Sequence, residues 1–229
     1  MYEQLKQRVY DTNLDLQRQG LVVLTWGNVS AIDREAGIIA IKPSGVRYED
    51  LNPQSIVIVD LEGRVVEGNL KPSSDTATHL ELYKSFAAVG GVCHTHSRYA
   101  TMWSQARRPI PCFGTTHADN FYGPIPVTDA MTDEEIGGPY EENTGKVIVR
   151  RFAGIDPMQI PAVLVANHGP FTWGPSPEKA VENAVVLEQV AKMAFGTIQV
   201  NPQQPPIARS LLDRHYLRKH GRGAYYGQG

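Results

Sequence analysis

Two cysteines, Cys93 and Cys112, are all that the 229 residues contain. That number makes no disulfide framework, and their spacing matches no zinc knuckle. Long apolar runs are missing too: nowhere do about 20 hydrophobic residues follow one another, the length a membrane helix needs. The first twenty residues, MYEQLKQRVYDTNLDLQRQG, have no apolar centre of the kind a signal peptide carries. An excess of one charge is also lacking. Twenty-two Lys and Arg against 24 Asp and Glu leave a net charge of −2. The basic residues are scattered, so there is no electrostatic footprint for nucleic acid or an acidic membrane surface. A cytoplasmic protein with neither nucleic-acid nor membrane partners is the expectation. A 41% hydrophobic share is that of a globular chain. The length allows one or two domains, and with no linker in view the expectation is a single domain over 1–229.

What is present begins with periodicity. Leu5, Val9, Thr12 and Leu16 recur at helical spacing ahead of Gly20, which predicts a helix over Glu3 to Arg18. Short β-rich runs follow at Leu21 to Thr25, Gly37 to Ile41, Ser55 to Asp60 and Val65 to Glu67, separated by turn residues and expected as antiparallel hairpins. Ser74 is placed to cap a helix reaching about Ala88, with Leu80, Tyr83 and Ala87 on one face. Gly91 to Ser97 reads as a strand, Arg98 to Arg107 as a helix, Pro109 to Pro126 as a long loop, and Thr144 to Phe152 as a helix. An apolar strand, Ala162 to Ala166, runs into Asn167-His168-Gly169-Pro170. Ser176-Pro177 opens a helix ending near Gly196, and Arg209 to His220 forms a last polar one. Strands mixed with helices give an α/β domain.

His94-Thr95-His96 is the sharpest chemical feature. On a strand, residues i and i+2 share a face with α-carbons about 6–7 Å apart, so two imidazoles can converge on one ion. Thr95 and Cys93 then face the other way, which makes Cys93 a core residue. His168, where an apolar strand hands over to a Gly-Pro turn, offers a third nitrogen, and Asp75 a carboxylate. Three neutral nitrogens and one carboxylate suit zinc or another divalent transition metal. Each residue also has an ordinary reading: hydrogen-bonded core or turn histidines, and a carboxylate favoured by a helix dipole.

Two similar turns, Lys42-Pro43-Ser44-Gly45 and Lys71-Pro72-Ser73-Ser74, each bring a hydroxyl, backbone N–H groups and a nearby ammonium. The second sits at a predicted helix start, where donors and dipole favour phosphate. Gly27-Asn28 can add more donors. Such turns are far more often surface features, but Asp75 directly after Ser73-Ser74 sets a metal and an anion one small molecule apart.

WGNVS (26–30), IKPSGV (41–46), KPSSDT (71–76), HTHSRYAT (94–101), GTTHAD (114–119), NHGPFTWG (167–174) and HYLRKHG with AYYGQ (215–228) together resemble the class II aldolase and adducin-head family, most closely its sugar-phosphate 4-epimerases. The resemblance runs from the first helix to the end of the chain. It implies a three-layer α/β/α domain around a mostly antiparallel central sheet, assembled as a homotetramer with sites between subunits. It implies one Zn2+ per subunit on Asp75, His94, His96 and His168, and phosphate contacts from Gly27, Asn28, Ser44, Gly45, Ser73 and Ser74. Asp119 and Tyr226 match the family's acid/base pair, with Tyr226 expected from a neighbouring subunit. Two departures stand out: Asn120 where an aromatic residue is expected, and a short loop near Gly154 to Gln159.

The implied activity is interconversion of L-ribulose 5-phosphate and D-xylulose 5-phosphate. The hydrogen at C4 is not acidic, so epimerisation there calls for breaking and remaking the C3–C4 bond, with Lewis-acid support for the enediolate. Inversion needs proton handling on two opposite faces, which two groups, Asp119 and Tyr226, meet better than one. His117 and His215 are expected beside the reacting groups, His79 and His220 on the surface. Rival readings are an aldolase of the L-fuculose-1-phosphate type, a thio-sugar-phosphate dehydratase and a non-catalytic adducin-like module. Asp75, where aldolase relatives commonly carry glutamate, favours the epimerase, and the intact histidines oppose the module.

Overall fold

A computed structural model describes residues 2–226. The last residues of the AYYGQ motif, 227 and 228, lie outside the described residues. Seven strands form one sheet: β1 (Asn28–Asp33), β2 (Ile38–Ile41), β3 (Val57–Asp60), β4 (Val65–Glu67), β5 (Gly91–His94), β6 (Ala162–Leu164) and β7 (Pro170–Gly174). Their order is β4-β3-β2-β1-β5-β7-β6, and every strand pair is antiparallel.

Alternation along the strands sorts the side chains into two helical layers. Ile39, Val57, Val59, Val92, Val163, Phe171 and Trp173 pack under α2 (Thr76–Ser85) and α6 (Tyr140–Arg151), meeting Leu82, Tyr83, Ile148 and Phe152. Val29 and Cys93 face the opposite layer with Leu16 of α1 (Glu3–Arg18) and Ala180 of α7 (Pro177–Val200). Ala162 and Leu164 pack with α7 and with Trp103 of α3 (Arg98–Gln105). This is the α/β/α architecture with an antiparallel sheet. Short helices α4 (Thr115–Ala118) and α5 (Asp133–Gly137), a final α8 (Arg209–His220) and two 3-10 turns at Tyr48–Asp50 and Pro53–Ser55 complete the described elements.

Several sequence expectations need correction. Leu21 to Thr25 is not a strand; Leu24 has a φ of 56° and Gly27 one of 77°, and the chain turns there before entering β1. β1 escaped the periodicity because its buried positions include Asn28 and Ser30. β7 carried no expectation from the sequence; Pro170 stands at the first strand position, where a missing N–H is tolerated. The predicted strand from Gly91 ends at His94, not Ser97. α2 ends at Ser85, leaving Ala87 exposed, and Ser74 makes no cap: the N-cap position is Asp75, whose side chain is turned elsewhere. α6 starts at Tyr140, four residues early, and α7 continues through half-buried Gly196 to Val200. α5 was missed although Thr132 and Glu135 form a capping box. The loop from Pro109 to Pro126 holds α4 and an Ile110–Ile125 bridge. Among the described residues no helix is long and apolar enough to cross a membrane.

Candidate metal and anion site

β5 delivers His94 on the α2/α6 side of the sheet, the face of Val92, because the two are i and i+2. His94 is 1% exposed and stacks on Phe171 of β7 with ring centres 4.2 Å apart. Its Nδ1 pairs with the Pro170 carbonyl at 2.9 Å, which fixes the ring and leaves Nε2 for a ligand. Beyond the strand the chain carries His96 back to within 4.9 Å of the His94 ring centre. His168 comes from a tight turn: Asn167 has a φ of 63°, and Val165 N–H donates to the Gly169 carbonyl. Gly169 is pressed so closely on Thr95 that a Cβ there would lie 2.8 Å from the Thr95 carbonyl oxygen. Only glycine lets this turn bring His168 so near β5.

One nitrogen from each of His94, His96 and His168 lies within 4.8 Å of the others. Ligands about 2.1 Å from one ion are at most about 4.2 Å apart, so small ring rotations close the set. The donor chemistry fits a metal. Burial lowers His94 to about 3 and also lowers His96 and His168, so all three are neutral imidazoles near pH 7. His168 Nδ1 is buried with no hydrogen-bond partner among the described residues, a cost of roughly 1–3 kcal/mol that coordination would offset.

Asp75 is not one of the three clustered ligands; it stands beside them on the wall of the same cavity. Asn28 Nδ2 donates to its carboxylate at 2.6 Å and to Ser73 Oγ at 3.0 Å. Burial alone would push the Asp75 carboxyl up, but nearby His94 and His79 and the Asn28 amide hold it below its ordinary value.

The two Lys-Pro-Ser turns meet. Ser44 N–H donates to the Lys71 carbonyl at 2.9 Å and Ser73 N–H to the Lys42 carbonyl at 3.0 Å, around a Pro43–Pro72 bridge. Those two amides are therefore not ligand donors. The Lys42 ammonium also departs from expectation: it is 1% exposed and surrounded by backbone carbonyls. Gly27, Asn28, Ser44, Gly45, Ser73 and Ser74 all line one cavity of about 540 Å³, together with Asp75, His94, His96 and His168. Anion donors and the histidine cluster thus share a space suited to a small phosphorylated molecule.

The model of the class II aldolase and adducin N-terminal domain family matches residues 7–195. The chain belongs to this family. It is 55% identical over 226 residues to L-ribulose-5-phosphate 4-epimerase UlaF of Salmonella paratyphi C, covering 99% of both chains. Among solved structures, an L-fuculose 1-phosphate aldolase superposes with a TM-score of 0.78 at 26% identity, over 93% of this chain and 94% of the other. An L-fuculose 1-phosphate aldolase of Glaciozyma antarctica PI12, 20% identical, shares the fold with a TM-score of 0.77 over 97% and 84%.

In this class II aldolase-family chain, Asp119 and Tyr226 do not line the cavity. Asp119, at the end of α4, bonds to α8, and Tyr226, beyond the end of α8, packs on side chains of that same helix. Arg218 donates to both Asp119 oxygens, at 3.0 and 2.9 Å, and His215 Nδ1 lies 3.0 Å from the same carboxylate. The Tyr226 ring stands over Arg218 and Lys219, 4.6 Å from each charge. Burial opposes Asp119 ionisation, but the Arg218 and His215 hydrogen bonds and the Lys219 charge hold its carboxyl below the ordinary range. Asn120, the departure from the family pattern, donates to the Thr116 carbonyl and leaves these contacts intact.

His79 is not on the surface. It is fully buried, bonded through Nδ1 to Ser30 Oγ at 2.7 Å, which in turn meets the Tyr83 hydroxyl at 2.8 Å. Buried His117 bonds the Gly123 carbonyl rather than any reacting group, while His220 is exposed as expected. Sequence reasoning missed Thr25, Trp26, Tyr140 and Glu141 as cavity-lining residues. Trp26 was within reach, since it opens the WGNVS motif; Tyr140 and Glu141 carry no local signal.

Proposed function

We propose that this chain is a divalent-metal-dependent L-ribulose-5-phosphate 4-epimerase, interconverting L-ribulose 5-phosphate and D-xylulose 5-phosphate by breaking and remaking the C3–C4 bond. The observation that carries this reading is 55% identity, end to end, with a protein named for that reaction. The shared cavity supports it.

His94, His96 and His168 would hold the cation, with Asp75 as the carboxylate partner beside them; nitrogen-rich ligation favours zinc. When bound, the cation would supply Lewis-acid stabilisation of the negative charge that develops as the C3–C4 bond breaks. The protein's residues do the rest. Asn28 orients Asp75 and Ser73 together. Gly27, Asn28, Gly45 and the Ser44, Ser73 and Ser74 hydroxyls hold the phosphate, keeping the cleaved aldehyde fragment in place while its carbonyl face turns. Asp119, kept ionised by Arg218, takes the proton of the C4 hydroxyl as the C3–C4 bond breaks, and the Tyr226 hydroxyl gives a proton to the aldehyde oxygen as the bond re-forms on the opposite face; in the reverse direction the two exchange roles.

Arg218 touches both Asp119 and Tyr226, and neither residue lines the cavity of its own chain. Tyr226, with Asp119 tied to it through Arg218, is read as serving the site of a neighbouring copy in a homotetramer with sites between subunits, the assembly that the family resemblance implies. Such an enzyme of sugar-phosphate metabolism belongs in the cytoplasm.

The test is incubation of the metal-loaded protein with L-ribulose 5-phosphate, following D-xylulose 5-phosphate with and without chelator, beside L-fuculose 1-phosphate. Epimerisation abolished by metal removal is the expected result. Cleavage of fuculose phosphate without epimerisation would replace the reading with an aldolase, and turnover indifferent to complete metal removal would sink the mechanism.

A further inference from the structure

Tyr48 lies outside every motif of the sequence, and it is only 2% exposed. Its hydroxyl is 3.0 Å from the Trp26 carbonyl oxygen and 2.9 Å from that of Gly27. Lys42 reaches the same segment from β2. Its ammonium donates to the carbonyls of Thr25 at 3.3 Å, Pro43 at 3.4 Å and Val46 at 2.8 Å, and lies 4.9 Å from the Tyr48 ring centre. An ammonium has three protons, and three carbonyls take them. Lys42 thus ties the segment before β1 to the turn that carries Ser44 and Gly45.

The acceptors are consecutive carbonyls: Thr25, Trp26 and Gly27. In a trans peptide the carbonyl and the following N–H point in opposite directions. Holding the Trp26 carbonyl inward therefore aims the Gly27 N–H outward, on the side where Gly27 lines the cavity. The Gly27 carbonyl, held likewise, sets the peptide that enters β1 at Asn28. Behind Gly27 stands His94, whose carbonyl oxygen would be 2.9 Å from a Cβ at position 27. The segment is wedged between Tyr48 and the strand bearing the first metal-candidate histidine, so its height above the cavity is set from both sides.

We propose that Tyr48 is a positioning residue for the anion subsite. Its hydroxyl presents the Gly27 amide and Asn28 to a phosphate and keeps them in register with Ser44 and Gly45. It touches no substrate itself. The proposal rests on the sugar-phosphate reading of the cavity.

Tyr48→Phe keeps the ring and removes only the hydroxyl. On the full-length, metal-loaded protein, the affinity for inorganic phosphate is measured by calorimetry, and KM and kcat with L-ribulose 5-phosphate. The phosphate Kd and KM are expected to rise together by about tenfold, with kcat within about twofold. 4-Aminophenylalanine at position 48 restores an N–H donor and is expected to recover phosphate affinity. Unchanged phosphate affinity in Tyr48→Phe, with wild type binding phosphate, overturns the positioning role and leaves the epimerase reading standing. A lower melting temperature and lower kcat at unaltered phosphate affinity also overturn it, assigning Tyr48 to stability alone. Wild type that turns over the sugar phosphate yet binds no phosphate removes the subsite itself.

Discussion

Gly27→Ala strikes the point where the two halves of the cavity touch. Gly27 adopts a φ of 77°, and an alanine in the left-handed region costs roughly 1–2 kcal/mol. Its Cβ would sit 2.8 Å from Val22 Cγ1 and 2.9 Å from the His94 carbonyl oxygen. Val22 can rotate away. The His94 carbonyl cannot, because β5 is paired on both sides, with β1 and β7. Such overpacking costs roughly 1–3 kcal/mol, so the loss of stability is roughly 2–5 kcal/mol. For a chain of this size each kcal/mol lowers Tm by about 2–4 °C, and a fall of about 10 °C is expected by calorimetry. The relaxed loop rises away from β5, so KM for the sugar phosphate should rise as well. A Tm within about 2 °C of wild type and an unaltered KM would show that the segment is not wedged as described.

The remaining predictions concern protons, metal and the distal pair. Burial lowers His117 from 6.5 to about 4. The unfolded chain therefore binds a proton there before the folded one does, and stability falls as pH drops from about 6.5 towards 4. At about 1.4 kcal/mol per pH unit this is worth roughly 3 kcal/mol. His117→Gln, which cannot titrate, should lose that much less stability than wild type between pH 7 and 4 in urea melts at both pH values; equal losses would refute the burial argument. His168→Ala should lower bound metal, read by elemental analysis after dialysis, at least tenfold; full occupancy would remove His168 from the ligand set. Tyr226→Phe keeps the ring over Arg218 and Lys219, so metal content and Tm should hold while epimerisation falls about a hundredfold or more; lost metal would contradict the role given to Tyr226.

The parts of the site legible in the sequence were those whose chemistry is local. His94 and His96 were readable because two residues apart on a strand means one face. His168 was readable because an apolar strand ends in a Gly-Pro turn. β1 was not, because Asn28 and Ser30 break the apolar alternation; Ser73, Asp75, His79 and Tyr83, some 45 to 53 residues away, take the hydrogen bonds of the Asn28 amide N–H groups and the Ser30 hydroxyl. His79 looked like a surface residue for the same reason. Lys42 and Lys71 looked alike in their two turns, yet one is buried among carbonyls and the other exposed.

By itself the sequence determined the residue types of the centre, the helix bounds set by visible signals, such as the stop at Gly20 and the start at Ser176-Pro177, and the family. Each follows from short-range chemistry or ordered motifs. Tertiary structure alone decided that the two Lys-Pro-Ser turns pair with one another, that Tyr48 and Lys42 hold the segment before β1, and that Asp119 and Tyr226 sit together away from the cavity of their own chain. Hydrogen bonds between distant segments made those choices, and no local pattern carries the energy of a partner contributed by another part of the chain.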